Sequence, residues 1–413
     1  MAAMTEAGIE VKDYTFIKKT TRKIPKWGRL EQVDDLTFHI VAMTPPSLSL
    51  APSLGFTLHP EPVPDSRKRP LPKSGLVTKP VKISRFGTLR RHGAAHQVAT
   101  ALGIRGMRDF PNVIYYSSAY KEHMAQLGQQ RGKYIAPEFA EYVMGYPTHW
   151  TSTTESPANE IGEHALTDED KFKGASAFTG VGGLELAIGK AVTAKLYCEK
   201  DAAAREVLRK RIEDGLLPKG PVMEDICTLD AKLLQNTEVL TAGFPCPDIS
   251  FAGRRSGFAG DRSSLFGKLI IKISQAGPTL KMLVLENVAH IISTDMEEVF
   301  FLVLRWLIIV GFRDIRWGTM EACSVGSPQC RMRWYCLAQR PGADLARLRR
   351  LLPLDADAIR SAGLQPWNPK NVIPMERWLQ ADLSDIEKER LLQLGNAVVP
   401  KAAEVVLTCL AHM

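Results

Sequence analysis

The sequence predicts an α/β protein with a mostly parallel, doubly wound sheet and an N-terminal basic extension. From Ala175 onward, short apolar runs of β type alternate with amphipathic helical runs. Such alternation implies right-handed β-α-β units with helices on both faces of the sheet. Ahead of that point the 413-residue chain changes texture, with Pro- and Ser-rich stretches and a dense basic run.

Residues 1 to about 35 are mixed and weakly patterned. Thr44 to Lys82 is rich in Pro and Ser (TPPSLSLAPS, HPEPVPD, KRPLPK). Proline removes backbone donors and favours extended conformations, so residues 1–85 are expected to form a partly irregular arm. A more ordered segment, 86–165, contains helical stretches, the aromatic-rich EFAEYVMGYPTHW, and a polar stretch, TSTTESPANEIGEH, that reads as a linker. The pairs SAFTG with LELAIGKA and KLYCEK with AAAREVLRKR open the alternating region. VLTAGFP, LFGKLIIKISQAG, MLVLENV, EEVFFLVLRWLIIVGF and RWYCLAQ continue it. The expected main domain is 172–340. A short variable segment, 341–390, and a last helix over 391–413 returning to the main domain complete the chain.

Composition excludes several classes. Hydrophobic residues are 45% and charged residues 24%, as in an ordinary globular protein. No stretch reaches the ~18 apolar residues of a membrane span; the longest, Val299–Val310, contains Arg305 and reads as a buried helix. The N-terminal MAAMTEAGIE lacks a basic region followed by an apolar run, so secretion is not expected. Seven cysteines form no C-x-x-C pair, which argues against a disulfide framework or a zinc site and for a reducing compartment. His92 and His96 are spaced for one helix face without completing a ligand set, so no metal is expected.

The formal charge of +8 is concentrated. Ser66 to Lys133 holds fourteen basic and two acidic residues, so this window carries +12 and the remainder −4. Arg67, Lys68, Arg69, Arg85, Arg90, Arg91, Arg105 and Arg108 are its candidate phosphate contacts, because each neutralised phosphate releases a condensed counterion. A solvated arm would show the same charge. Arg67–Lys68–Arg69 would serve as a nuclear signal in a eukaryote; in a bacterium or virus the cytoplasm or nucleoid is expected.

Ligands of such sheets bind at the carboxyl ends of the strands, and the chemistry-bearing residues fall there. Ser176–Leu186 reads SAFTGVGGLEL: an apolar strand, then Gly180, Gly182 and Gly183, then a helix start. Glycines permit a tight turn and close approach of a ligand, and the helix start offers free N–H groups. Glu199 ends the next apolar run, placed to accept from ribose hydroxyls. Asp225 ends a third and could hold an adenine amino group. Together they suit an adenosine ligand without a pyrophosphate, although each alone is also compatible with a plain turn or a solvated acid.

Cys246 sits between Pro245 and Pro247 directly after the strand VLT, a turn that presents a thiol in a fixed direction; the thiolate is the nucleophilic form. The other six cysteines are expected to be buried and inert. Glu286 follows the apolar MLVL, where burial can raise a carboxyl pKa and make it an acid. Gln329, Arg331 and Arg333 alternate, which in a strand puts them on one face.

Taken together, FTGVGG, the PC turn, ENV, the Q-x-R-x-R strand and the late LGNAVVP at 394–400 resemble the DNA (cytosine-5) methyltransferase family. The order is the family's, over roughly 175–340 and 390–410. The nearest resemblance within it is to members from phages, algal viruses and eukaryotic microbes. The resemblance implies a Rossmann-like fold that binds S-adenosyl-L-methionine. Phe178 would lie against the adenine or sulfonium region, Glu199 on the ribose, and Asp225 and Ile226 beside the adenine. Leu184, Pro245, Leu265, Asn396 and Val398 would complete the pocket. Cys246 would attack C6 of a flipped-out cytosine in double-stranded DNA, with Glu286 on N3 and the exocyclic amine. Arg331 and Arg333 would hold the base O2 and a nearby phosphate, and Gln329 would touch DNA. An RNA (tRNA) cytosine-5 methyltransferase and a catalytically silent DNA-binding regulator are the alternatives.

Two departures from the family pattern stand out. Only about 55 residues separate Gln339 from Gly395, where the family places a long target-recognition region. EFAEYVMGYPTHW resembles a segment usually found late in the chain. Its early position suggests that target recognition has moved to the N-terminal part, and that residues 1–160 are dispensable for cofactor binding. Oligomeric state is not legible.

Overall fold

Apolar residues at consecutive positions, rather than at alternate ones, make the central strands of this protein. Val239 to Ala242 and Met282 to Leu285 are all buried, the pattern of strands covered on both faces. The structure, a computed structural model, describes residues 12, 14–18, 23–46, 134–157, 168–245, 265–325, 327, 329, 331–354, 379–380 and 382–413. Its strands are β1 Thr15–Lys18, β2 Gly28–Gln32, β3 Thr37–Ala42, β4 Tyr134–Ile135, β5 Phe172–Ala177, β6 Val192–Cys198, β7 Val222–Met223, β8 Val239–Gly243, β9 Met282–Val288, β10 Asp314–Glu321, β11 Met332–Gln339 and β12 Leu379–Gln380. Its helices are α1 Pro137–Met144, α2 Gly183–Ile188, α3 Ala202–Glu213, α4 Leu265–Gln275, α5 Glu297–Ile309, α6 Leu345–Leu351, α7 Asp385–Asn396 and α8 Pro400–His412.

Ten strands form one sheet in the order β1-β3-β2-β10-β11-β9-β8-β5-β6-β7. The strands β7, β6, β5, β8 and β9 are parallel; from β9 through β11, β10, β2 and β3 each strand runs antiparallel to the last, and β1 adds to β3 in parallel. Strand order reverses between β5 and β8, the switch point at which open α/β sheets bind ligands. Alternate side chains feed two cores. Val239, Met282, Val284, Tyr335 and Leu337 pack with α2, α3 and α8. Leu240, Leu283, Leu285, Trp334 and Cys336 pack with α4 and α5.

The domain boundaries expected from sequence need correcting in three places. Residues of the supposed irregular arm form β1–β3. Phe38 and Ile40 are buried, Phe16 stacks on Phe301 of α5 at 5.4 Å, and the Trp317 indole donates to Pro25 O at 3.0 Å. The segment 134–157, expected to contact DNA and end in a linker, lies in the main core, with Phe139, Val143, Tyr146 and Trp150 buried. Part of the variable segment joins them: Leu348 and Leu351 of α6 are buried in the same cluster, and β12 pairs with β4. Asp385–His412 is long and apolar enough to cross a membrane, but it is two helices broken before Pro400, and 78% of its apolar window is buried in the protein.

Candidate active site

The turns after β5 and β8 flank the switch point, and both carry residues that the sequence singles out. After β5 the backbone turns at Phe178, whose φ of +53° is left-handed, then at Gly180 (+57°) and Gly182 (+87°), the N-cap of α2. A left-handed non-glycine residue costs of order 1–3 kcal/mol and persists only where its surroundings hold it. The loop is sewn to β6. Thr179 donates from N–H and Oγ1 to Cys198 O at 3.3 and 3.2 Å. Glu199 accepts from the Gly180 N–H at 2.7 Å and from the Asp201 N–H at 2.8 Å.

This arrangement fits an adenosine-type ligand. Among the described residues, a Cβ placed on Gly180 would meet nothing within 4 Å. Each Glu199 oxygen accepts one bond here and retains a further lone pair for a hydroxyl. Asp225 accepts from Lys200 Nζ at 2.7 Å and from the Cys227 N–H at 2.9 Å, and the Lys200 ammonium holds its carboxyl below the usual range. Ile226 is buried in the α4–α5 core, against which Phe178 also packs. Leu265 opens α4 and packs against that same core.

On the other side of the switch point, Gly243 of β8 pairs with Glu286 of β9. Glu286 is buried, and burial pushes its carboxyl pKa up against the opposing pull of Arg333 and Arg331. Arg333 Nε lies 3.3 Å from Glu286 Oε1. Asn287, also buried, donates from Nδ2 to Phe244 O at 2.9 Å, and its Oδ1 accepts from the Val288 N–H at 2.8 Å. Asn287 thereby fixes the turn that leads into Pro245. Its signal was present as the residue after the strand-end acid, but nothing local marks the carbonyl it meets. Cys246 follows Pro245 in sequence and lies outside the described residues, as do the basic residues Arg67, Lys68, Arg69, Arg85, Arg90, Arg91, Arg105 and Arg108.

Some expected contacts are not the ones made. Arg331 is buried and donates to Gly395 O at 2.9 Å and Ala397 O at 2.6 Å. Burial pushes its pKa down to about 9. It secures the loop after α7, and of the pair it is Arg333 that makes the ion pair with Glu286. Gln329 was expected to touch DNA. It is 1% exposed and donates to Val143 O at 3.2 Å inside the protein. Asn396 ends α7 and is exposed, whereas Val398 lies against the glycine loop: a Cβ on Gly183 would come within 3.1 Å of Val398 O. Leu184 is buried in α2 beside it. Cys198, Cys336 and Cys409 are buried, and burial pushes the thiols of Cys198 and Cys409 up to about 12. Cys227 is exposed, contrary to expectation. Among the described residues no group of three or more His, Cys, Asp or Glu could hold a metal ion.

The family model for C-5 cytosine-specific DNA methylase matches residues 172–401. The chain is 30% identical over 170 residues to the Type II methyltransferase M2.BsuMI of Bacillus subtilis, covering 40% of this chain and 42% of that protein. It is 27% identical over 170 residues to M.CviJI of Paramecium bursaria Chlorella virus IL3A, covering 41% and 43%. To M.NgoBI of Neisseria gonorrhoeae it is 31% identical over 167 residues, covering 40% and 49%. The chain thus spans a little under half the length of each of these relatives. The matched region contains the whole parallel half of the sheet, both turns at the switch point, and the loop after α7; by that match the chain belongs to the C-5 cytosine-specific DNA methylase family.

Proposed function

We propose that this chain transfers a methyl group from S-adenosylmethionine to carbon 5 of a cytosine in double-stranded DNA. The observation that carries the reading is a convergence at one sheet edge. A glycine loop tied to Glu199 flanks one side of the switch point. A buried acid, Glu286, beside Arg333 and a turn anchored by Asn287 flank the other. A cytosine within a duplex cannot reach such an edge, so it enters flipped out of the stack.

Bound S-adenosylmethionine supplies an electrophilic methyl group. Gly180, Gly182 and Gly183 let it approach the backbone, Glu199 accepts from its ribose hydroxyls, and Phe178 and Asp225 border its adenine. The Cys246 thiolate adds to C6, forming an S–C6 bond and pushing the C5–C6 electron pair toward N3. Glu286, whose carboxyl burial biases toward the protonated form, gives its proton to N3 and then accepts from the exocyclic amine. Arg333 donates to the base O2. C5, now nucleophilic, would take the methyl group with S-adenosylhomocysteine as leaving group; solvent water then takes the C5 proton, N3 returns its proton to Glu286, and departure of the Cys246 thiolate restores the aromatic ring. The +12 window at 66–133 supplies cations for the DNA phosphates.

The test is base-resolution sequencing of 5-methylcytosine in unmethylated genomic DNA after incubation with the purified chain and S-adenosylmethionine. Methylation within one short sequence context is expected. Transfer to tRNA with none to DNA would overturn the substrate, and no transfer to either, with cofactor bound, would overturn the reaction.

A further inference from the structure

The segment preceding the main domain ends in a turn that bears on both loops to which cofactor binding is assigned above. The Trp150 indole, 0% exposed, donates from Nε1 to Val181 O at 2.7 Å, in the middle of the glycine loop. The Tyr146 hydroxyl donates to Val398 O at 2.9 Å, in the loop after α7. A Cβ on Gly183 would lie 2.3 Å from that hydroxyl, so only glycine admits Tyr146 and Val398 together against the start of α2.

The turn itself is built to hold these two rings still. Buried Arg211 of α3 donates to His149 O, Trp150 O, Ser152 O and Glu155 O at 2.8–3.2 Å. Buried Glu141 of α1 accepts from the N–H groups of His149 and Thr151 at 2.8 and 2.7 Å. His149 has φ +66°. Among the described residues the left-handed non-glycine positions are His149 and Phe178, one in this turn and one in the glycine loop. The Trp150–Val181 bond joins the two turns. Strained positions persist where their surroundings over-determine them, and here each strained turn is part of the other's surroundings.

We propose that Trp150 and Tyr146 are positioning residues for the cofactor loop. The segment 137–155 then acts in cofactor binding from inside the core and not as a DNA contact. The proposal rests on the reading of 178–183 as the S-adenosylmethionine loop. Removing the indole donor leaves Val181 O without its buried partner and frees the loop to sample conformations that do not bind. A ligand that must select one conformation loses affinity by the fraction of time the loop spends elsewhere.

The experiment uses the full chain with Trp150→Phe and Tyr146→Phe, which keep the rings and lose the donors. Ser152→Ala is the control: its hydroxyl accepts from the Thr154 and Glu155 N–H groups within the turn at 3.3 and 3.0 Å. For Trp150→Phe, S-adenosylmethionine affinity is expected to fall about five- to tenfold, as for a lost buried hydrogen bond. KM for the cofactor should rise in step, with kcat at saturation and DNA affinity within twofold. Hydrogen exchange in residues 178–186 of the cofactor-free protein should speed up. Tyr146→Phe should act in the same direction, and Ser152→Ala should lower thermal stability without these changes. Unchanged loop exchange and unchanged cofactor affinity in both ring variants would overturn the proposal. Wild-type protein that binds no S-adenosylmethionine would overturn the reading of the loop and the proposal with it, whereas tight wild-type binding insensitive to Trp150 overturns the proposal alone.

Discussion

The glycine loop at 178–183 and the turn at 145–155 touch, yet they are held by opposite means. The loop is held at its surface: Gly180 donates to half-buried Glu199, and beyond Glu199 the exposed Lys200 pairs with Asp225. The turn is held from beneath by charges withdrawn from water, Glu141 and Arg211, both 0% exposed. A loop that takes up and releases a ligand needs open space and partners that can be shared. A turn that supports such a loop needs neither, and its backbone is claimed by Glu141 and Arg211. Substitutions around the loop should therefore move binding and turnover with little loss of stability, and substitutions of the buried charges beneath the turn should mainly cost stability.

The largest effect belongs to the chemistry. Cys246→Ser replaces a thiolate by a hydroxyl that does not ionise in this pH range, and kcat should fall at least ~10³-fold, as for loss of a nucleophile. Cofactor affinity should stay near normal. Retained methylation would remove Cys246 from the mechanism. Next comes Glu286→Gln, with kcat expected to fall ~10²–10⁴-fold, the usual contribution of a general acid. The pH profile makes the same point with a sign. Burial raises the Glu286 pKa, so the protonated form that gives a proton to N3 is kept to higher pH than for a free carboxyl and is lost as pH rises through the folded-state value. The kcat profile should therefore show a one-proton decline toward alkaline pH that Glu286→Gln abolishes. Linkage runs the same way: between the unfolded and folded pKa values the native state binds more protons, so rising pH across that window lowers stability. A profile unchanged by the substitution would assign the acid elsewhere.

The turn should answer differently. Arg211→Met removes a buried guanidinium that meets Asp214 at 3.0 Å and leaves four carbonyls without their donor. Breaking a buried charge pair from one side costs about 3–5 kcal/mol, readable as a large fall in the denaturant midpoint at unchanged kcat under native conditions. An Arg211→Met protein that loses cofactor affinity without losing stability would erase the contrast between the loop and the charges beneath the turn.

These regions also differ in how far the chain announces them. The glycine loop, Glu199, Asp225 and Glu286 each end a local apolar run, so a strand terminus is visible within ten residues of sequence. The 145–155 turn is not, because Arg211 lies about sixty residues further along, and nothing near it says that its guanidinium will be enclosed. Arg331 shows the same limit. Its alternation with Arg333 is local, but the carbonyls of Gly395 and Ala397 that claim its donors arrive from the far end of the chain. At the other sheet edge, β3 does alternate, with Phe38 and Ile40 buried between half-buried Thr37, His39 and Val41. β1 and β2 are only four and five residues long and carry charges, so the extension of the sheet became clear only through pairing with β10. The expectation that residues 1–160 could be removed without cost to cofactor binding runs against the same kind of long-range packing: Trp150 and Tyr146 belong to the core beneath the loop.

Two smaller effects sharpen the loop side. Glu199→Gln keeps an acceptor but removes the charge that holds the Gly180 and Asp201 N–H groups, and S-adenosylmethionine affinity should fall about tenfold, the scale of a charge-assisted hydrogen bond. Lys200→Ala should do least. Lys200 is exposed and its pair with Asp225 stands in solvent, where such pairs contribute little. The substitution nevertheless frees an Asp225 oxygen that Lys200 otherwise occupies and lets the Asp225 pKa rise toward its ordinary value. If the adenine amino group uses that oxygen, affinity measured by titration should rise up to two- to threefold, because a competing donor has gone. A fall of the same size would mean that Lys200 arranges Asp225 for the ligand and belongs with the positioning residues, and the exposed pair would then be acting as the buried ones do beneath the turn.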